Sequence, residues 1–371
     1  MELRIHKGRL KDAVSEAASV LSKKTVLPVL NGIKLEVREK EFVLVGSDGE
    51  LMIKKVIPVQ EVGCESINKG SCVLPAAFLQ DLVKKLPGPV HMKKDAGRML
   101  LESGEVKTSL STLSTEEYPD MAEVESTEDI SMNGEDLVEL VRQTLFAAAK
   151  EGSRPVLTGV HLDFSHHHVQ ASATDSHRLA FVKKKLSSEK SYSCTVPVRT
   201  LKEVIKVFKN TKGSLRLSIT DQLFKVESNE TMITSKLLDG AYPNVGDLVT
   251  ESAKTVLTLD KDRMLESVDR AGLFAENCRN HQVKLCLMEG KQLNISSFLP
   301  QVGTIEENIP LKEVTGEGKM DVHIDGIFLL EALKVTKGED VKLFYNGMMS
   351  PLIIRSLRNE EQVHVISPVR A

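Results

Sequence analysis

Three stretches decide the fold: LRIHKGRLKDAVSEAASV at 3–20, ISMNGEDLVELVRQTLFA at 130–147 and TVLTLDKDRMLESVDRAGLFA at 255–275. Laid over one another at constant spacing, Ile5, Leu10 and Val14 meet Met132, Leu137 and Val141, and then Leu259, Met264 and Val268. The first two run on to PVLNGIKLEV at 28–37 and PVLTGVHLDF at 155–164, where Pro28 meets Pro155 and Gly32 meets Gly159. After a small gap, VKLCL at 283–287 stands in the third where IKLEV stood. A later segment also recurs, as VLPAAFLQDLVKKL at 73–86, TVPVRTLKEVIKVF at 195–208 and HIDGIFLLEALKVT at 323–336. An internal repeat fixes architecture before any motif does. It predicts three similar domains, at 1–125, 126–248 and 249–371, each with two helices.

The helices follow from spacing. Leu10, Val14, Ala17 and Leu21 stack on one face of a 3.6-residue helix, as do Leu201, Val204, Ile205 and Phe208. Between them lie alternating or β-branched stretches such as EFVLVGSD, KLEVRE and HVQASATDS, broken by Gly, Asn or Asp, which read as strands and turns. The fold class is α+β, with strands outnumbering helices.

Composition narrows the function. Length 371 suits two or three cores, and 41% hydrophobic with 27% charged residues is ordinary for a globular protein. No stretch approaches the roughly 20 apolar residues of a membrane span, and MELRIHKGRL lacks a signal-peptide core, which points to the cytoplasm. Cys64, Cys72, Cys194, Cys278 and Cys286 fit no zinc or redox spacing and read as reduced structural thiols. No metal or other cofactor is expected. The net charge of −3 sets aside a strongly basic nucleic-acid binder, so charge must be read by face.

One face is cationic. Arg199, Lys202, Lys206 and Lys209 recur at helical spacing opposite an apolar face, with weaker versions at Lys84 and Lys85, Arg263 and Arg270, and Lys334 and Lys337. A solvated surface explains any one helix; recurrence on equivalent helices favours phosphate contacts, which are salt-sensitive and indifferent to base sequence. With no Trp and only four Tyr, stacking on single strands fits poorly, so a nucleic-acid partner would be duplex.

Two motifs then carry a family resemblance: Ala173-Thr174-Asp175-Ser176-His177-Arg178-Leu179-Ala180, and Ser153-Arg154-Pro155-Val156-Leu157-Thr158-Gly159-Val160 before it. With TVLPVLNGI at 25–33, LVGSDGEL at 44–51, LSTLSTEEYPD at 110–120, TSKLLDGAYPN at 234–244 and the terminal SPVRA, they resemble the bacterial DNA polymerase III β subunits, the β sliding clamps, over the whole chain. The wording is closer to Gram-positive clamps. The resemblance implies a ring of two head-to-tail copies, helices lining the hole and sheets outside, that encircles double-stranded DNA. It implies a non-catalytic processivity factor that tethers the replicative polymerase, is opened by an ATP-driven clamp loader, and serves other clamp-binding-motif proteins of replication and repair.

By the same resemblance, partners insert a short peptide into a pocket of Leu157, Thr174, Ser176, His177, Arg178, Leu179, Pro243, Leu248, Val365, Ser367, Pro368 and Val369. DNA-facing positions are Lys24, Lys150, Arg199, Lys202 and Lys206, with Glu151 replacing a polar residue. Dimer contacts are Leu110 against Leu273 and Phe274. Asp247 stands where some relatives carry Arg, and Ser367 where they carry Met or Leu, which makes the pocket rim more polar and fits a second clamp paralogue.

Two rivals remain. Asp175, Ser176 and His177 hold the ingredients of a serine hydrolase, but adjacent residues on a strand face opposite ways and there is no G-x-S-x-G elbow. A repeat-built interaction scaffold explains the cores and the pocket but not the cationic faces. His166, His167 and His168 read as a solvated turn rather than a metal site.

Overall fold

The computed structural model describes residues 1–22, 27–59, 64–119, 121, 129–165, 167–187, 191–248 (without the Asp247 side chain), 252–275, 281–289, 291–300, 302–358 and 361–370. The first repeat runs β1 (Glu2–Ile5), α1 (Lys7–Ala18), β2 (Gly32–Val37), β3 (Glu41–Ser47), β4 (Leu51–Pro58), β5 (Cys64–Asn68), β6 (Gly70–Pro75), α2 (Ala76–Lys85), β7 (Val90–Asp95), β8 (Arg98–Ser103) and β9 (Val106–Ser111). The second runs β10 (Asp129–Asn133), α3 (Gly134–Arg142), β11 (Gly159–Ser165), β12 (His168–Thr174), β13 (Arg178–Lys185), β14 (Tyr192–Pro197), α4 (Val198–Phe208), β15 (Ser214–Ile219), β16 (Leu223–Glu227) and β17 (Thr231–Lys236). The third runs β18 (Thr255–Asp260), α5 (Lys261–Ala275), β19 (Gln282–Met288), β20 (Gln292–Leu299), β21 (Gly303–Pro310), β22 (Glu313–Gly316), β23 (Asp321–Asp325), α6 (Gly326–Val335), β24 (Asp340–Tyr345), β25 (Leu352–Ser356) and β26 (Gln362–Ile366). Each repeat therefore carries the two helices that spacing predicts.

Helix α1 buries Leu10, Ala13, Val14 and Ala17, and the His6 side chain accepts the Gly8 N–H at its start. It ends at Ala18, so Leu21 packs on the core from beyond the helix rather than from its last turn. The helix sits directly on β3: a Cβ at Gly46 would lie 1.8 Å from the Ala17 carbonyl oxygen, which explains the glycine in LVGSDGEL. In EEYPD, Tyr118 is buried and its hydroxyl donates to the Val45 carbonyl at 3.1 Å, pinning the chain after β9 to β3. Helix α6 is capped by Asp325, whose carboxylate accepts the Ile327 and Phe328 N–H groups.

Two compact units emerge. One holds Met1–Glu135 with Arg199–Leu237, the other Asp136–Val198 with Leu238–Ala371. In the first lie a five-stranded sheet, β5-β1-β7-β8-β9, and an eight-stranded sheet, β10-β15-β16-β17-β4-β3-β2-β6. In the second lie a nine-stranded sheet, β14-β11-β12-β13-β26-β25-β24-β18-β22, and a four-stranded sheet, β21-β20-β19-β23. The larger sheets each join strands of two repeats, so compact units and sequence repeats do not coincide. The joints are antiparallel, β4 on β17 and β13 on β26. Among the described residues no helix is long and apolar enough to cross a membrane.

Candidate functional site

The motif at 173–180 forms the turn between β12 and β13. Asp175 caps it: one carboxylate oxygen accepts the His177 and Arg178 N–H groups at 3.0 Å each, and the other meets Arg178 Nε at 3.0 Å. Thr174 Oγ1 donates to the Arg178 carbonyl at 2.6 Å and accepts the Ser176 N–H at 3.1 Å. Ser176 is held at φ 76°, a left-handed conformation that costs a non-glycine residue about 1 kcal/mol or more. With its acceptors committed to this turn, Asp175 orients no catalytic histidine.

His177 and Ser176 are exposed, whereas Arg178 is buried and not a rim group. Its guanidinium meets Glu331 of α6, donates to the Phe146 carbonyl at 2.7 Å, and stacks 4.2 Å from the Phe328 ring and 5.4 Å from Phe146. Its role is to lock the turn onto α6 and the 145–147 segment.

Behind the turn lies an apolar cluster. Leu179 and Val365, paired across β13 and β26, meet Val245, Ile353 and Val363, with Phe181, Tyr242 and Phe344 at the margin. Motif reading supplies Leu179 and Val365 but misses Phe181, Tyr242, Val245, Phe344, Ile353 and Val363. The signal for Tyr242 is its match to Tyr118 in the repeated YP pair. The Tyr242 ring stacks flat on His161 at 4.7 Å, and burial raises the phenol's pKa. Burial likewise lowers that of His161.

Pro243 and Leu248 flank this cluster on an exposed segment. Ser367 joins the turn directly, its N–H donating to the His177 carbonyl at 2.8 Å. Pro368 and Val369 turn to β23 instead, Pro368 bridging Ile324 and the Val369 N–H donating to the His323 carbonyl. Leu157 is buried in the 155–158 turn, with its carbonyl on the Ala149 N–H. Thr174, Ser176, His177, Leu179, Val365 and Ser367 thus come together most closely; the Asp247 side chain lies outside the described residues.

The cationic faces are less free than their spacing suggests. Arg199 pairs with Asp48 and donates to the Val20 carbonyl, and Lys206 lies 3.3 Å from Glu203. Arg270 pairs with Glu307 at 2.8 Å, Lys84 with Asp81 at 3.4 Å, and Lys337 with Glu139. Lys202, Lys209, Lys85, Lys150, Arg263 and Lys334 remain exposed. Lys24 and His166 lie outside the described residues. His167, at φ 63°, makes the turn into β12.

Of the expected contact residues between copies, Leu110 sits on β9, an edge of the five-stranded sheet, and packs partly on the first repeat's core. Leu273 is 68% exposed at the end of α5. Phe274 lies beside Gly303 at the start of β21, the edge of the four-stranded sheet: a Cβ there would be 3.8 Å from its ring.

Comparison with known proteins matches 1–122, 131–244 and 247–370 to the N-terminal, central and C-terminal domains of the DNA polymerase III beta subunit. The beta sliding clamp of Bacillus subtilis is 32% identical over 377 residues, covering all of both chains. That of Staphylococcus epidermidis is 30% identical, with 100% of this chain and 99% of the relative covered. Among solved structures, the Bacillus subtilis sliding clamp superposes with a TM-score of 0.96 at 31% identity, and the Streptococcus pyogenes beta subunit with 0.95 at 26%, each covering all of this chain. With the repeats, the joined sheets and full-length identity in agreement, the chain belongs to the DNA polymerase III beta subunit family, the beta sliding clamps.

Proposed function

We propose that two copies of this chain close head to tail into a ring around duplex DNA and tether a DNA polymerase and other replication or repair proteins through the cluster behind the 174–178 turn. The observation that carries the ring is the register of the two internal joints. Strand pairing makes Thr108, Ile233 and His364 equivalent, as the partners of Leu101, Val226 and Ile354. It makes Ile53, Ala180 and Ile305 equivalent in the same way, opposite Gly46, Ala173 and Ser297. Within the chain, Ile53 pairs with Ile233 and Ala180 with His364.

One member of each set is left over: Ile305 on edge strand β21 and Thr108 on edge strand β9. A second copy supplies the missing pair. Antiparallel pairing of Ile305 with Thr108 puts Lys107 opposite Glu306 and Leu110 opposite Gly303, where it meets Phe274. This supports the contact of Leu110 with Leu273 and Phe274. Edge strands left unpaired invite pairing with another chain, and opposite charges fix which one.

In this reading 1–125, 126–248 and 249–371 are the three domains, and the site residues take the roles the resemblance assigns, with Arg178 as a support of the pocket. Lys202 and Lys150 hold phosphate; Arg199 and Lys206, already paired, contribute less, and Lys24 completes the set. Few free cations suit weak, sequence-indifferent contact that permits sliding. Processivity then comes from raising the polymerase's effective concentration at the primer end, not from chemistry on this chain. Opening falls to a clamp loader, and the setting is the bacterial cytoplasm.

The test is topological. The assembled protein should stay on a nicked circular plasmid and leave when the plasmid is linearised. Equal loss from circles and linear DNA would sink the ring and leave the scaffold reading.

A further inference from the structure

The outer side of the four-stranded sheet carries a cavity of about 450 Å³ lined by Gln282, Lys284, Ser296, Phe298, Thr304 and Glu306, together with His323. It belongs to neither the peptide cluster nor the cationic faces. Strand pairing sets its order: His323, Lys284, Ser296 and Glu306 form one row across four strands, and Phe298 with Thr304 lies in the next. Gln282, two residues before Lys284, shares their side of the sheet. The size is that of a small-molecule site.

We propose that this cavity binds a guanine nucleotide. Phe298 is 61% exposed and offers a ring face for a base to stack on. Glu306 has one carboxylate oxygen held by Asn294 at 2.7 Å, which fixes the group where a base edge would meet it. A carboxylate only accepts, so it favours guanine, with two adjacent N–H donors, over adenine, which sets one donor beside an acceptor.

At the other end, Lys284 is a cation, paired at 3.1 Å with half-exposed Asp321. His323 accepts the Gln282 amide N–H at Nδ1, 2.8 Å away, which leaves its ring proton on Nε2 as a second donor. Lys284 and Glu306 stand two strands apart, about 10 Å. A nucleoside monophosphate spans that distance from phosphate to base edge, with the Ser296 hydroxyl between them for the ribose and Thr304 in the next row beside Phe298.

Titration calorimetry of the full-length chain with GMP, AMP, guanosine and inorganic phosphate tests the site. Saturable GMP binding is expected, with AMP at least about fivefold weaker and Phe298→Ala lowering GMP affinity about tenfold. Lys284→Ala should weaken GMP while leaving guanosine unchanged. No saturable GMP binding, AMP equal to GMP, or full affinity in Phe298→Ala overturns the proposal. Lys107 of a second copy reaches the same Glu306 in the ring, so GMP should bind more tightly below the dimer's dissociation concentration. A chain that never dimerises refutes the ring while the titration still reports on the cavity.

Discussion

Arg178 and His177 are neighbours in one motif, yet burial gives them opposite jobs. Replacing Arg178 with Met leaves Asp175 short of its side-chain partner and Glu331 uncompensated. Breaking such a buried pair from one side costs on the order of 3 kcal/mol, less the share that half-exposed Glu331 recovers from water. Urea unfolding should show the loss, and an unchanged midpoint would mean the guanidinium holds nothing. His177→Ala, on an exposed side chain, should weaken binding of a partner peptide several-fold while the unfolding midpoint and the dimer persist; removal of the last five residues should do likewise through Ser367. Unchanged peptide affinity in both would refute the pocket.

Ser176→Gly relieves a left-handed backbone and should raise stability by up to about 1 kcal/mol in the same measurement; a lowered midpoint would mean that relief of strain is not the dominant effect. The motif's residue types are plain in the sequence. Which side chain faces out is not, because a turn residue's exposure depends on α6, more than a hundred residues away.

At the scale of elements, β26 buries His364 on the face of the nine-stranded sheet opposite Val363 and Val365. The imidazole is fully buried, edge-on to Phe146 at 5.5 Å, with Nδ1 unpartnered, and burial pushes its pKa down to about 3. The unfolded chain takes up this proton near pH 6.5 but the folded chain does not, so stability is full above that pH and falls as pH drops toward 3. His364→Gln should flatten that part of the profile in urea titrations at stepped pH; parallel curves for variant and parent would rule the linkage out. The helices themselves were legible from apolar spacing, which names most of the buried residues of α1 and α4 but not Ala13 or Thr200, and includes Ile205, which is only partly buried. The end of α1 was not: nothing in the apolar pattern distinguishes Leu21, packed after the helix, from a residue in its last turn.

For the whole molecule, the decisive contact is the proposed third joint, between β9 of one copy and β21 of another. Lys107→Glu sets like charges opposite each other at the proposed β9 and β21 pair and should raise the dimer dissociation constant about tenfold or more in sedimentation runs at several concentrations. Combining it with Glu306→Lys should restore the dimer, which no purely local damage would do. Two β21 edges meeting symmetrically about Glu306 and Glu307 would set glutamate against glutamate, so charge favours head-to-tail closure over that symmetric alternative.

By itself the sequence determined the three repeats, the α+β class, the helix faces and the family, because these rest on residues close in the chain or on motifs read in order. Only the tertiary structure decided that Arg199 and Lys206 are already paired, that Arg178 is a buried support, that Tyr242 and Ile353 share a cluster with Leu179, and that β9 and β21 are the edges left over. Each of those facts depends on which distant strand or helix lies alongside, and that is fixed by sheet register and burial, which no local pattern of residues records.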